Sequence, residues 1–217
     1  MAEVVIAVRG GGEAKSRYGD LVAPRDRAAF VEAMLTDMLR AIAKAPSVTQ
    51  VRVVTPTPEI AALARAMGAL VVPEIEPAGL NAAFRLGREQ VARDEAQAIV
   101  ILLPGDLPGL EPQDLEALTA AAGPGRIAMV RAARDGGTGA LAFPAGLDLP
   151  LAYGPDSFAR HLAAARALGL EPHEIDAPSL AHDLDRPADL REWLASRPEG
   201  AAAALMTRLA APAGNAA

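Results

Sequence analysis

The stretch Ala98-Ile99-Val100-Ile101-Leu102-Leu103-Pro104-Gly105-Asp106-Leu107-Pro108 decides how this chain is read. Residues 98–103 are its most apolar run, and a continuous apolar run is what a parallel strand buried on both faces shows, so this strand is expected at the centre of a sheet. The run closes on Pro104 and Gly105 and then presents an acid, Asp106. Open α/β sheets bind ligands outside the carboxyl ends of their strands, which makes Asp106 a natural metal ligand. The plainer alternative is a turn residue between two prolines.

Outward from this strand the chain alternates strands with amphipathic helices, the pattern of a mostly parallel sheet flanked by helices. Upstream, residues 4–8 read as the first buried strand. Phe30, Met34, Met38, Leu39 and Ile42 recur at helical spacing within 25–44, with Pro24 at a position that suits a helix start. A strand at 51–54, a helix from about 58 to 67, a strand at 70–72 and a helix carrying Leu80, Ala83 and Phe84 complete two further units. Downstream, a helix is expected over 112–121, strands at 127–130 and 140–143, a helix over 157–168, a strand near 173–175 and a helix over 187–195. The chain reads as one domain over 1–198, followed by an Ala-rich tail over 199–217. That tail is expected to hold a frayed helix around 202–209 and to be disordered from Gly214 on.

Bulk properties exclude several classes of function. With 217 residues the chain can bury one sizeable core, and half of it is apolar with ordinary charge, as in globular proteins. A formal charge of −6 repels polyanions, so no nucleic-acid partner is expected. The absence of cysteine removes disulfides, thiolate metal sites and cysteine nucleophiles, and fits a reducing cytoplasm. The apolar run at 4–8 lacks the basic flank of a signal peptide, and no stretch approaches the ~18 apolar residues of a membrane span.

After the first strand comes Arg9-Gly10-Gly11-Gly12-Glu13-Ala14-Lys15-Ser16-Arg17, where α/β folds expose backbone N–H groups to phosphates. Lys15 stands where a dinucleotide fingerprint needs Gly or Ala, and Ala14 and Arg9 stand where a Walker A loop needs Gly. A glycine loop remains, with Lys15 and Arg17 able to clamp the β- and γ-phosphates of a triphosphate, or else a solvated surface loop. His182-Asp183-Leu184-Asp185-Arg186-Pro187 adds two carboxylates ahead of a helix, for which capping is the plainer reading. Asp135-Gly136-Gly137-Thr138 and Tyr153-Gly154-Pro155-Asp156-Ser157-Phe158 are turn-rich connections, with Asp156 able to cap the next helix. Their Thr138, Ser157 and backbone N–H groups suit a carboxylate or phosphate. His161, His173 and His182 have no metal-like spacing and receive no role, and Trp193 reads as a packing residue.

Taken together these segments resemble the 2-phospho-L-lactate guanylyltransferase family of coenzyme F-420 biosynthesis, which includes the phosphoenolpyruvate and 3-phosphoglycerate guanylyltransferases. The resemblance runs from the first strand to about Leu194. It is carried by Ala14-Lys15-Ser16-Arg17, Gly79-Leu80-Asn81-Ala82-Ala83, Leu103-Pro104-Gly105-Asp106-Leu107-Pro108, Asp135-Gly136-Gly137-Thr138, Tyr153 to His161, and Asp183-Leu184-Asp185-Arg186-Pro187-Ala188-Asp189-Leu190. It implies a GT-A-like (Rossmann-like) nucleotidyltransferase fold, GTP as donor, Mg²⁺ as cofactor and a small phosphorylated carboxylic acid as acceptor. By the same resemblance Lys15 and Arg17 hold the triphosphate, Gly10, Gly11, Gly79 and Asn81 the nucleotide, Asp106 and Asp185 the metal, and Thr138, Gly154 and Ser157 the acceptor acid. The choice between Asp183 and Asp185 favours Asp185, because related nucleotidyltransferases place the ligand two residues before the proline. The chain departs from the family at Arg9-Gly10-Gly11-Gly12, where a Lys-Pro-Leu-like stretch is usual. A product handed to a downstream transferase is implied, while the oligomeric state, a homodimer included, stays open.

The inventory agrees with such chemistry. A phosphomonoester has its second pKa near ~6 and is largely dianionic at neutral pH, so it attacks the α-phosphate without a protein base. The site must supply positioning and positive charge, which is work for a metal ion and Lys or Arg side chains. The rivals are a nucleotidyltransferase for a molybdopterin or sugar-phosphate acceptor and a non-catalytic nucleotide-binding protein.

Overall fold

Side-chain alternation sets the layers. In β1 (Ala2–Ala7), Val4 and Ile6 enter one buried cluster while Val5 and Ala7 enter another, because successive side chains of a strand leave opposite faces. The computed structural model describes residues 1–10, 22–196 and 198–210. Lys15, Arg17 and Gly11, and the expected disorder from Gly214, lie outside the described residues.

The chain continues through α1 (Pro24–Ile42), β2 (Val48–Thr55), α2 (Pro58–Ala66), β3 (Leu70–Pro73), α3 (Leu80–Asp94), β4 (Ile99–Pro104) and α4 (Pro112–Ala121). There follow β5 (Arg126–Arg131), β6 (Thr138–Pro144), α5 (Ser157–Ala167), β7 (Glu171–Glu174), α6 (Pro178–Ala181), α7 (Pro187–Ala195) and α8 (Ala201–Ala210). The result is a single α/β domain whose seven-stranded sheet runs β3-β2-β1-β4-β6-β5-β7. β4 is central, as its apolar run requires, with all of Ile99 to Leu103 buried. β1 pairs in parallel with both β2 and β4, β2 with β3, and β5 with β7, whereas β6 runs antiparallel to β4 and β5.

Helices cover both faces. Phe30, Met34, Leu35 and Met38 of α1 pack with Leu115 and Leu118 of α4 over Val4, Ile6 and Ile101. On the other face Phe84 and Val91 of α3 and Phe158 of α5 pack over Val5, Val100 and Leu102. Gly87 lets α3 settle onto the sheet, since a Cβ there would lie 2.3 Å from Val5 Cγ1. Five helices begin with proline in the first turn, α1, α2, α4, α6 and α7; its fixed φ suits that position and its missing N–H would have had no partner there.

Two local expectations are corrected. Asp185 does not cap α7. Its N-cap is Arg186, and the Asp189 carboxylate, three residues on, accepts the Arg186 N–H at 2.7 Å and the Asp185 N–H at 3.3 Å. Asp156 does hold the N-cap position of α5, but without a side-chain capping bond and with φ 56°. At the far end of the chain the Asp37 carboxylate of α1 receives the N–H groups of Ala201 and Ala202 at 2.7 and 2.8 Å, so α8 is capped across the molecule.

Candidate functional site

The strand order reverses between β1 and β4. From β1 the chain proceeds outward through β2 and β3, then returns to place β4 on the opposite side of β1. At such a point the loops leaving two neighbouring parallel strands diverge and open a crevice at the carboxyl edge. The described residues at this crevice are Arg9 and Gly10 after β1 and Gly105 and Asp106 after β4.

Several glycines draw these loops together. A Cβ on Gly105 would stand 2.6 Å from the Val8 Cβ, so the residue before Asp106 lies flush against the end of the first strand. A Cβ on Gly10 would come within 2.8 Å of Ile60, and the Gly10 N–H donates to Thr57 Oγ1 at 3.1 Å. Arg9 reaches the buried Glu74 carboxylate at 3.4 Å. The start of the glycine loop is thus fixed against α2 and the end of β3.

Asp106 is half-buried, and its carbonyl accepts the N–H of Leu184 at 2.9 Å. That bond brings the Asp183-Leu184-Asp185 segment beside Asp106, with Leu184 buried, Asp183 exposed and Asp185 half-buried. Two acidic loops far apart in sequence therefore meet at the crevice. Among the described residues no three or more His, Asp or Glu side chains gather as a metal site. Hard carboxylate oxygens limited to one or two suit Mg²⁺, which usually fills its octahedron with waters and phosphate oxygens.

The loops that precede β6 and α5 build a second feature at the same edge, because antiparallel pairing of β6 with β4 sets the start of β6 at the carboxyl end of β4. Thr138, Gly154 and Ser157 are brought together. Ser157 Oγ donates to Thr138 Oγ1 at 3.1 Å, and the Ser157 N–H donates to the Gly154 carbonyl at 3.1 Å. The two loops are laced by Asp156 N–H to the Asp135 carbonyl at 3.2 Å and Phe158 N–H to the Gly136 carbonyl at 3.1 Å. Gly154 takes φ 131°, a conformation open to glycine, and Asp156 sits in the left-handed region beside it. Held strain of this kind in a non-glycine residue is common at ligand clamps.

Asn81 occupies the first turn of α3, two residues after Gly79, which takes φ 98°. Its side-chain oxygen accepts the Tyr153 N–H at 2.7 Å and its amide donates to the Tyr153 carbonyl at 3.2 Å. Asn81 thus ties the start of α3 to the loop bearing Gly154. Tyr153 is anchored beneath, with its ring 4.6 Å from that of Phe84 and its hydroxyl donating to the Leu102 carbonyl at 3.3 Å. Burial pushes the Tyr153 phenol well above its ordinary range, so it stays protonated.

Sequence reasoning missed His161. It is fully buried, with Nδ1 at 2.8 Å from Thr138 Oγ1 and Nε2 accepting the Ala152 N–H at 2.8 Å. Burial first, and the neighbouring Arg160 charge second, lower its pKa to about 4, so the ring is neutral. The available signal was spacing: Ser157 and His161 stand four apart on one helix and share a face. His173 Nε2 lies 3.5 Å from Glu171 Oε1, and His182 is exposed.

A cavity of about 640 Å³ lies between α4, α6 and α7, lined among others by Asp114, Arg134, Asp183 and Trp193. Its lining includes neither Asp106 nor Thr138, but Asp183 and Leu184 border both the cavity and the crevice.

Residues 2–207 match the family described as "Guanylyl transferase CofC like". The chain is 49% identical over 194 residues to the 3-phospho-D-glycerate guanylyltransferase of Phenylobacterium zucineum, covering 88% of this chain and 89% of that protein. It is 37% identical over 198 residues to the phosphoenolpyruvate guanylyltransferase of Sphaerobacter thermophilus, covering 91% and 94%. Among solved structures, a nucleotidyl transferase from Methanothermobacter superposes with a TM-score of 0.65 at 19% identity, covering 91% of this chain and 99% of that one, a likeness of fold.

Proposed function

The chain belongs to the CofC-like guanylyl transferase family, and from that premise we propose that it transfers GMP from GTP to the phosphate of a three-carbon phospho-acid. Its relatives are named for 3-phospho-D-glycerate and phosphoenolpyruvate; 2-phospho-L-lactate is the third candidate acceptor. All three carry a phosphate and a carboxylate. They differ in a hydroxyl, in a double bond and in whether C2 or C3 carries the phosphate, so pocket shape rather than reaction type separates them.

In the proposed reaction an oxygen of the acceptor phosphate attacks the α-phosphorus of GTP. The bond from that phosphorus to the bridging oxygen of the β-phosphate breaks, and pyrophosphate leaves with the electron pair. No proton must move, because the attacking phosphate is already dianionic, which agrees with a crevice built from Asp, Thr, Ser and backbone groups. Asp106 and Asp185 would hold Mg²⁺, which supplies charge stabilisation to the phosphates when bound. Lys15 and Arg17 would hold the β- and γ-phosphates, and Gly10, Gly11, Gly79 and Asn81 would line the nucleotide. Thr138, Gly154 and Ser157 would orient the acceptor. We assign this activity to residues 1–198, with 199–217 as a C-terminal extension whose α8 packs on α1, in the cytoplasm and in coenzyme F-420 biosynthesis, where a downstream transferase would consume the phosphoanhydride product.

The observation that carries this reading is the bond from the Leu184 N–H to the Asp106 carbonyl, which sets two acidic loops side by side at the reversal point of the sheet. The test is Asp106→Asn. Acceptor-dependent pyrophosphate release is expected to fall by about a hundredfold or more, as loss of metal charge stabilisation implies, with the melting temperature unchanged. Activity retained at saturating Mg²⁺ removes Asp106 from the metal site.

A further inference from the structure

His161 is fully buried, yet the proposed chemistry gives it no task. Its surroundings fix its protonation by logic alone. The Ala152 backbone N–H, 2.8 Å from Nε2, has only a hydrogen to offer, so Nε2 must be bare. A ring that is neutral and bare at Nε2 carries its hydrogen on Nδ1. That hydrogen points at Thr138 Oγ1, 2.8 Å away.

The consequence passes to the hydroxyl pair. Thr138 Oγ1 then accepts from His161 and lies 3.1 Å from Ser157 Oγ. Two hydroxyl hydrogens belong to this pair and one lies between the two oxygens. Ser157 Oγ donates in that bond, so the hydrogen left over is that of Thr138 Oγ1. Ser157 is wholly buried, whereas Thr138 keeps 5% of its surface exposed. Had His161 offered a bare Nδ1 instead, that hydrogen would have been drawn back into the protein.

We propose that His161 is a positioning residue for the acceptor acid: locked as its Nδ1–H form by Ala152, it holds Thr138 as a hydrogen-bond donor toward an anionic oxygen of the phospho-acid. This rests on the acceptor role proposed above for Thr138. The same imidazole anchors the loop that carries Gly154, and that loop is gripped twice more, by Asn81 at Tyr153 and by Arg160 at the carbonyls of Ala152 and Pro155. The acceptor pocket is therefore shaped before the acid arrives, which lowers the ordering cost of binding.

Two measurements on the full chain test this. In the ¹⁵N-histidine-labelled protein at neutral pH, the resonance lost in His161→Asn identifies His161. A protonated Nδ1 with a bare Nε2 is expected, and the opposite tautomer or an imidazolium overturns the proposal. In steady-state kinetics His161→Leu is expected to raise the acceptor KM roughly ten- to a hundredfold, the usual effect of one lost hydrogen bond to a charged group, with the GTP KM nearly unchanged. His161→Asn, whose amide can still donate to Thr138, should recover most of that loss and keeps the test alive if the leucine variant does not fold. An active wild type with an unmoved acceptor KM in the variants, or with both KM values moved equally, overturns the positioning role alone. A wild type without acceptor-dependent pyrophosphate release overturns the guanylyltransferase reading itself, and this inference with it.

Discussion

At the scale of single residues, His161 links the site to stability. Its pKa is about 4 in the fold against 6.5 for the free side chain, through burial and then Arg160; the Tyr153 ring, 5.1 Å away, also faces it. The folded value is the lower one, so between pH 6.5 and 4 the unfolded chain binds a proton that the native chain refuses. Stability from this group is complete above pH 6.5 and declines toward about pH 4, by about 1.4 kcal/mol for each unit. Urea unfolding at pH 7.5 and 5.5 should therefore show the difference between wild type and His161→Asn shrinking by about 1.4 kcal/mol. A difference independent of pH would mean that the imidazole titrates normally in the fold. Lys15 gives a second prediction. As a proposed ligand of the triphosphate, its replacement by Ala should weaken GTP by roughly ten- to a hundredfold, as for a lost charge-assisted contact, and the acceptor much less; equal loss of both affinities would argue against that role.

Residue type and position made Asp106, Thr138 and Ser157 candidates in the sequence, although acids and hydroxyls beside glycine turns serve equally as turn or cap residues. Asn81 and His161 were harder to read. Asn81 is held by backbone atoms of Tyr153, 72 residues away, and His161 by the Ala152 N–H as well as by Thr138 Oγ1; a backbone partner leaves no trace in residue identity.

Elements were read more fully than their joints. Apolar periodicity and first-turn prolines were enough to anticipate α1, α4 and α7, and the apolar run was enough for β4. The short α6 was not anticipated, since four residues are too few to show a period. It matters to the site nonetheless. A Cβ on Gly139, the neighbour of Thr138, would stand 2.0 Å from the Leu180 carbonyl oxygen, so α6 lies directly against β6. The cap of α8 was also invisible, because Asp37 is separated from Ala201 by 164 residues. Asp37→Ala removes both capping bonds, which at about 1–2 kcal/mol should lower the melting temperature by about 2–8 °C for a chain of this size. Since α8 rests on α1 rather than on the crevice, kcat should be unchanged; an unaltered melting temperature would show that packing alone holds α8.

Over the whole molecule, strand order is what assembles the site. Alternating strands and helices announce an α/β sheet, but nothing local says that β4 lies beside β1 or that β6 enters antiparallel between β4 and β5. That order sets the loops after β1 and β4, the Asp183–Asp185 segment and the two glycine-rich turns along one edge. The match of residues 2–207 to guanylyl transferases thus concerns a chain whose acidic loops and hydroxyl-bearing turns are set along one sheet edge by topology rather than by sequence proximity. The decisive measurement is phosphorus NMR of the purified protein with GTP and Mg²⁺, run in parallel with 3-phospho-D-glycerate, phosphoenolpyruvate and 2-phospho-L-lactate. With at least one acid, pyrophosphate should accumulate in step with a new pair of coupled phosphoanhydride resonances, and neither should arise without the acid. Pyrophosphate independent of acceptor, or no coupled pair with any of the three, would contradict transfer of GMP to a phospho-acid.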